Sequence, residues 1–180
     1  MANIQEGQRI LINGASGGVG VYAVQLAEYF GAEVTGVCST KNIELVKSLG
    51  ATKVIDYTKV DFTKEEEMYD IVFDAVGKSS FSKCKKILRD DGIYLTTVPT
   101  FRLLFQMLWT TKVGKKKAKF GIASGPENLL VLKDLIESKK LRIVIDRIYP
   151  LEAIAEAHAY VEQGHKVGGV AISVYQENEI

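Results

Sequence analysis

The residues of this chain best suited to chemistry are small ones. Gly14, Gly17, Gly18 and Gly20 fall within Gly14-Ala15-Ser16-Gly17-Gly18-Val19-Gly20. Such residues let a backbone turn tightly and approach an anion closely. The free amides and dipole of a helix beginning there can then hold phosphates without a basic side chain. Gly17 and Gly20 take the second and third places of a dinucleotide fingerprint, and Ala15 stands in for the first. Ala15, Ser16, Gly17, Gly18 and Val19 are therefore candidates for a pyrophosphate site, although a tight turn would use the same glycines without a ligand. About 20 residues on, where an NAD-selective site carries Asp or Glu for the ribose 2′-hydroxyl, the chain reads Cys38-Ser39-Thr40-Lys41. Without a carboxylate nothing repels a 2′-phosphate, and the hydroxyls of Ser39 and Thr40 and the Lys41 ammonium can bond it. The pattern favours NADPH over NADH. Ser39 and Thr40 also suit the cap of a following helix, and the two roles are compatible.

These residues need a strand, a turn and a helix to position them. Ile10-Leu11-Ile12 is a short apolar run that stops at the glycines, and Val21, Val24, Leu26 and Ala27 follow at helical spacing. Beyond them strands and helices alternate. Strands are expected at 8–13, 33–38, 53–56, 69–75, 93–97 and 117–123. Helices are expected at 18–30, 41–49, 79–88 and 101–111, and from Pro126 through Ser138, with a turn at Asp90-Asp91-Gly92. The fold class is α/β, a doubly wound parallel sheet of Rossmann type in order 3-2-1-4-5-6. Residues 1–140 form the nucleotide-binding domain. Residues 141–180 form a tail, with a strand at 143–149, a helix at 151–163 and a strand at 169–175.

Composition narrows the function further. The chain has 180 residues, 47% hydrophobic and 25% charged, with a net charge of +1. That balance fits one globular domain and provides no global field for nucleic acid or an anionic membrane. Two cysteines, with no Cys-x-x-Cys, suit a reducing compartment such as the cytoplasm. Cys38, Cys84, His158 and His165 lack metal-ligand spacing, so no metal is expected. Phe101–Trp109 is too short to span a membrane and reads as core or subunit interface. Lys115–Lys117 and Lys119 read as a guard against edge pairing of the sixth strand.

The stretch Asn13-Gly14-Ala15-Ser16-Gly17-Gly18-Val19-Gly20, followed by Ala23-Val24-Gln25-Leu26-Ala27, resembles the quinone oxidoreductase branch of the medium-chain dehydrogenase/reductase family. Its glycines also match short-chain dehydrogenases, but none of the eight tyrosines has the Lys four residues later that those enzymes use. Tyr149-Pro150-Leu151-Glu152 and Gly164-His165-Lys166 resemble that medium-chain branch's tail, although Lys166 precedes Val167-Gly168-Gly169, so the usual Gly-Lys order is not kept. The resemblance implies hydride transfer from NADPH to a quinone or activated enone. It implies that Tyr57 packs near the adenosine and the 2′-phosphate, and that Val76 and Thr97 serve the nicotinamide half. Asp74 reads as structural rather than catalytic. An N-terminal GroES-like domain carrying most substrate contacts is expected to be absent, whether by excision or natural truncation, leaving a chain that binds cofactor with negligible turnover. A homodimer paired through the sixth strand or the helix before it is also implied. Two other readings stay open: the cofactor domain of a zinc-dependent alcohol dehydrogenase, and a nucleotide-binding module without turnover.

Overall fold

Ile10, Leu11 and Ile12 are almost wholly buried, as a strand covered on both faces requires. In a computed structural model, which describes residues 4–112, 114–121 and 127–174, they lie in β1 (Arg9–Asn13) at the middle of a six-stranded parallel sheet. The other strands are β2 (Glu33–Cys38), β3 (Lys53–Asp56), β4 (Tyr69–Asp74), β5 (Leu88–Thr96) and β6 (Lys117–Phe120). Their order is β3-β2-β1-β4-β5-β6, as the sequence predicts, with β6 at an edge.

Side-chain alternation divides the core between two layers. Ile10 and Ile12 pack with Val21, Val24 and Ala27 of α1 (Gly20–Tyr29) and Val46 of α2 (Ile43–Ser48). On the opposite face Leu11 joins Val37, Tyr69, Val72, Tyr94, Phe81 of α3 (Phe81–Cys84) and Leu103 of α4 (Phe101–Lys112). Such a core requires helices on both sides of the sheet.

The structure departs from the sequence expectation in three places. The helix expected over 79–88 shrinks to α3 and one 3-10 turn at Lys85–Ile87, and the turn expected at 90–92 becomes an irregularity inside β5. Leu88, fully buried, pairs with Tyr69, and Arg89 ion-pairs with Asp70 at 3.1 Å. These contacts hold the segment extended, and Asp91 absorbs the irregularity at φ 65°. Secondly, of the two uses expected of Phe101–Trp109, core or subunit interface, α4 supplies little of the first. Leu103 is buried, whereas Phe101 is 87% exposed and Trp109 70%, with Leu104, Phe105 and Leu108 also outward. Thirdly, the edge lysines are partly engaged, since Lys117 Nζ donates to the carbonyls of Thr110 (2.7 Å) and Gly114 (3.1 Å). Residues 122–123 of the expected sixth strand, Pro126 and Tyr175 lie outside the described residues.

α5 (Glu127–Glu137) leads to the tail, where β7 (Ile145–Pro150) and β8 (Gly169–Ser173) pair in parallel around α6 (Ile154–Glu162). Gln25 on α1 anchors its start. The amide of Arg142 donates to Gln25 Oε1 at 2.7 Å, and Gln25 Nε2 donates to the Arg142 carbonyl at 3.0 Å. That reciprocal pair gives the buried Gln25 its partners and ties the tail to the helix behind the glycine turn.

Two glycines shape that turn. Gly14 sits at φ +83°, and a methyl group on Gly20 would lie 2.0 Å from the Gly14 carbonyl oxygen. The backbone of α1 can approach β1 only without that methyl. Gly20→Ala is expected to cost about 2–4 kcal/mol in urea unfolding, since an overpacked core site loses about 1–3 kcal/mol or more. Gly114→Ala, with nothing within 4 Å but a positive φ, should lose only about 1 kcal/mol.

Candidate functional site

In a doubly wound sheet the strand order reverses beside β1, and a crevice opens outside the carboxyl ends of the strands there. Here β1 lies between β2 and β4, with Asn13 level with Val37 and Asp74. A cleft of about 240 Å³ opens at that point. The glycine turn provides one wall through Gly14, Ser16 and Gly17. Cys38, Ser39, Lys41 and Asn42 follow from the end of β2, and Tyr57 and Phe62 from beyond β3. Val76 and Lys78 come from the loop after β4, and Gly164, His165 and Lys166 from the tail.

The loop after β4 is built on Asp74, whose 0% exposure would be costly for a carboxylate without partners. Its Oδ1 accepts from Asn13 Nδ2 (2.9 Å), the Gly77 amide (3.0 Å) and the Val76 amide (3.3 Å). Oδ2 accepts from the Ser79 amide (2.8 Å) and the Tyr94 hydroxyl (3.0 Å). Five donors from β1, β5 and its own loop leave this acid no free face for proton transfer. Burial, reinforced by Asp74, pushes the Tyr94 phenol far above its ordinary range. The loop so held places Val76 against the turn, where a methyl on Gly14 would lie 2.5 Å from Val76 Cγ1.

Around the end of β2 the hydroxyls divide their work. Asn42 Nδ2 donates to Ser16 Oγ at 2.9 Å and, more weakly, to Ser39 Oγ at 3.4 Å, linking the glycine turn to the Ser39 loop. The Thr40 hydroxyl bonds Asp56 instead. Hydrogen bonds from Thr40 and Thr58 hold the Asp56 carboxyl down at about 2. Because the folded value is depressed, this contribution to stability is complete above the ordinary carboxylate range and is lost as pH falls toward 2. Neither Ser39 nor Thr40 caps the helix that follows through its side chain.

Ser16, Gly17, Ser39, Lys41, Tyr57 and Val76, among the residues expected from sequence, line the one cleft. Ala15, Gly18, Val19, Thr40 and Thr97 do not. Ala15 is fully buried, with its amide bonded to the Val37 carbonyl at 3.0 Å. Val19 precedes α1 and is half exposed, and Gly18 faces the tail. Thr97 lies one residue past β5. Sequence reasoning did not single out Asn13, Asn42, Phe62 or Lys78 for this site, nor Gly164, His165 and Lys166, which join it only because the chain returns from more than 120 residues away.

The lining has one sign. It holds Lys41, Lys78 and Lys166, and among the described residues no carboxylate lines it. A methyl on Gly17 would meet only the Gly14 carbonyl, at 3.4 Å, and otherwise point into open space. Glycine turn, helix start and three ammonium groups together suit a polyanion, and the open backbone at Gly17 leaves room for one. A nicotinamide dinucleotide fits this donor set. Among the described residues no three His, Cys, Asp or Glu side chains come together in a way that could hold a metal ion. Nor is any helix among them long and apolar enough to cross a membrane.

Comparison with known proteins agrees with this fold. A family model described as zinc-binding dehydrogenase matches residues 49–172. The mouse NAD(P)H oxidoreductase RTN4IP1, mitochondrial, is 36% identical over 94% of this chain and 48% of its own length. The 2-methylene-furan-3-one reductase of Solanum lycopersicum is 36% identical over 95% of this chain and 42% of its own. The solved quinone oxidoreductase of Coxiella burnetii superposes with a TM-score of 0.86 at 31% identity, covering 97% of this chain and 55% of that one. The chain thus spans about half the length of the relatives it matches.

Two expectations follow from these contacts. Asp74→Asn puts an NH2 group among five donors and should cost at least about 2–3 kcal/mol in urea unfolding, the penalty for unsatisfied buried groups. Burial pushes the Cys38 thiol, with Asp56 adding to it, and the Cys84 thiol up to about 11. Alkylation of both in the native chain at neutral pH should be about two orders of magnitude slower than in the unfolded chain, because the thiolate is the nucleophile.

Proposed function

Since the chain belongs to the medium-chain dehydrogenase/reductase family, in its quinone oxidoreductase-like branch, we propose that it binds NADP(H) for hydride transfer to a quinone or activated enone, without zinc. The carrying observation is a cleft at the strand ends that gathers three lysines and the glycine turn with no carboxylate among its described lining residues. An NAD-selective site would hold an acid at the end of β2, where this chain has Cys38-Ser39-Thr40-Lys41.

The residues divide by the part of the cofactor they would hold. Ser16, Gly18 and Val19 serve the pyrophosphate through backbone amides before the start of α1, and Gly17, whose own amide donates to the Gly14 carbonyl at 3.0 Å, leaves room for it. Ser39 and Lys41 bond the 2′-phosphate, and Tyr57 packs beside the adenosine. Thr40 supports that loop from behind through Asp56. Val76 and Thr97 border the nicotinamide half. The bound cofactor supplies the hydride, and the protein supplies position and electrostatics. The rest of a longer protein would close the cleft over a substrate and exclude water, so this chain alone is proposed to bind cofactor with negligible turnover. Names such as 2-methylene-furan-3-one reductase and NADPH-dependent alkenal/one oxidoreductase among the relatives support an activated enone or quinone as acceptor. Two buried thiols suit a reducing compartment, which we read as the cytoplasm.

Calorimetry is expected to show NADPH binding at least about tenfold tighter than NADH, since charge-assisted bonds contribute about 1.5–3 kcal/mol. Lys41→Ala should remove most of that difference, and equal affinities in the parent chain would remove the cofactor assignment.

We further propose a homodimer across the β6 edge of the sheet. Lys117 folds back onto Thr110 and Gly114 rather than guarding that edge, and the apolar face of α4 adds surface to bury. Sedimentation should give a dimer at high micromolar concentration; a monomer there would contradict it.

A further inference from the structure

The tail meets the glycine turn through Lys166 and Gly168. The Gly168 amide donates to the Ser16 carbonyl at 2.9 Å. Lys166 Nζ donates to the Gly168 carbonyl at 2.6 Å, and it sits where a methyl on Gly18 would come within 2.7 Å of it. This half-buried ammonium therefore lies over the fingerprint itself, which has no basic residue of its own. Gly168 makes the approach possible, with φ +66° and a position where a methyl would lie 2.3 Å from the Val144 carbonyl.

One carboxylate organises this turn. Asp146 Oδ2, on β7, accepts from the Val167 amide at 2.9 Å and from the Tyr160 hydroxyl on α6. The Arg147 guanidinium covers the Tyr160 ring at 4.0 Å. Asp146 thus joins β7, α6 and residue 167, which lies between Lys166 and Gly168. Burial alone would raise this carboxyl, but the bonds from Tyr160 and Val167, with Arg147 and Lys41 nearby, hold it below the ordinary range.

We propose that Asp146 is a positioning residue for the cofactor site, holding the 164–168 turn so that Lys166 presents its ammonium to the pyrophosphate over Gly18. This rests on the NADP(H) reading above. Asp146 is not placed to touch the cofactor, and it acts through Lys166.

Calorimetry on the whole chain with two probes tests the assignment. NADPH reads both halves of the site, and adenosine 2′-monophosphate reads only the half served by Ser39, Lys41 and Tyr57. Lys166→Ala and Asp146→Asn should each weaken NADPH about five- to tenfold, the scale of one charge-assisted contact. The double variant should be no weaker than Lys166→Ala alone, because the two act as a unit. Adenosine 2′-monophosphate should bind the Lys166→Ala variant as well as the parent. With Asp146→Asn it should bind slightly tighter, since a negative charge felt by Lys41 is gone. A merely structural role would weaken both probes together, and that result overturns the proposal, as do unchanged NADPH affinity or additive losses. If Asp146→Asn fails to fold, Lys166→Ala still decides whether the ammonium meets the pyrophosphate, and Tyr160→Phe, which removes one of the two donors to Asp146, should weaken NADPH and leave adenosine 2′-monophosphate unchanged if Asp146 positions the turn. A parent chain that binds neither probe would overturn the NADP(H) reading, and this proposal with it. Parent binding unaffected by either substitution overturns this proposal alone.

Discussion

The buried carboxylate of Asp74 is the constraint on which the upper edge of the sheet depends. A charge removed from water costs several kcal/mol unless its partners restore what water provided. Here they come from three directions: Asn13 at the end of β1, Tyr94 on β5, and the amides of Val76, Gly77 and Ser79 in the loop between β4 and α3. Thr96 adds a bond to the Asp74 carbonyl at 2.9 Å. The three strands must end together for these bonds to form, and the loop must fold back over them. Val76 is pressed against Gly14 as a result, so the shape of the glycine turn and the charge balance beneath it are one problem with one solution.

Above that foundation the cleft is electrostatically simple. Acidic groups lie close by, at Asp56, Asp74 and Asp146, yet each is occupied by hydroxyl or amide donors and none lines the cavity. Lysines remain as the charged lining. Spending carboxylates on internal hydrogen bonds leaves a field of one sign in the cleft, which favours an anionic ligand by more than the net charge of +1 suggests. Asp74 and Asp146 play parallel parts, one fixing the loop after β4 and the other the turn of the tail, so two walls of the cleft are each hung on a single carboxylate.

Exposed apolar surface points to what else this domain meets. Ile145, Ile148, Leu151 and Ile154 in the tail, and Phe101, Phe105 and Trp109 on α4, stand outward. Contiguous apolar faces of this kind are seldom left to solvent, and the chain spans about half the length of the relatives it matches.

By itself the sequence determined the sheet, its strand order and the location of the glycine turn. Those follow from local signals: an apolar run stopped by glycines, helical spacing immediately after, and strands alternating with helices. Each is governed by contacts within a few residues or by a handedness rule common to all such folds. The absence of an acid at the end of β2, where Cys38-Ser39-Thr40-Lys41 stands, was equally legible, because strand length fixes where β2 ends. Local signals failed over 79–92. There a helical pattern lost to the burial of Leu88 against Tyr69 and to the Arg89–Asp70 pair, neither visible in a short window. Only the tertiary structure decided which residues share the cleft. Lys78 enters through the loop that Asp74 holds, and Lys166 through a tail carried back by Gln25, Gly168 and Asp146. Contacts between residues so far apart in the chain have no period or spacing to betray them. They form because buried polar groups must find partners, and the partners available are set by the whole fold.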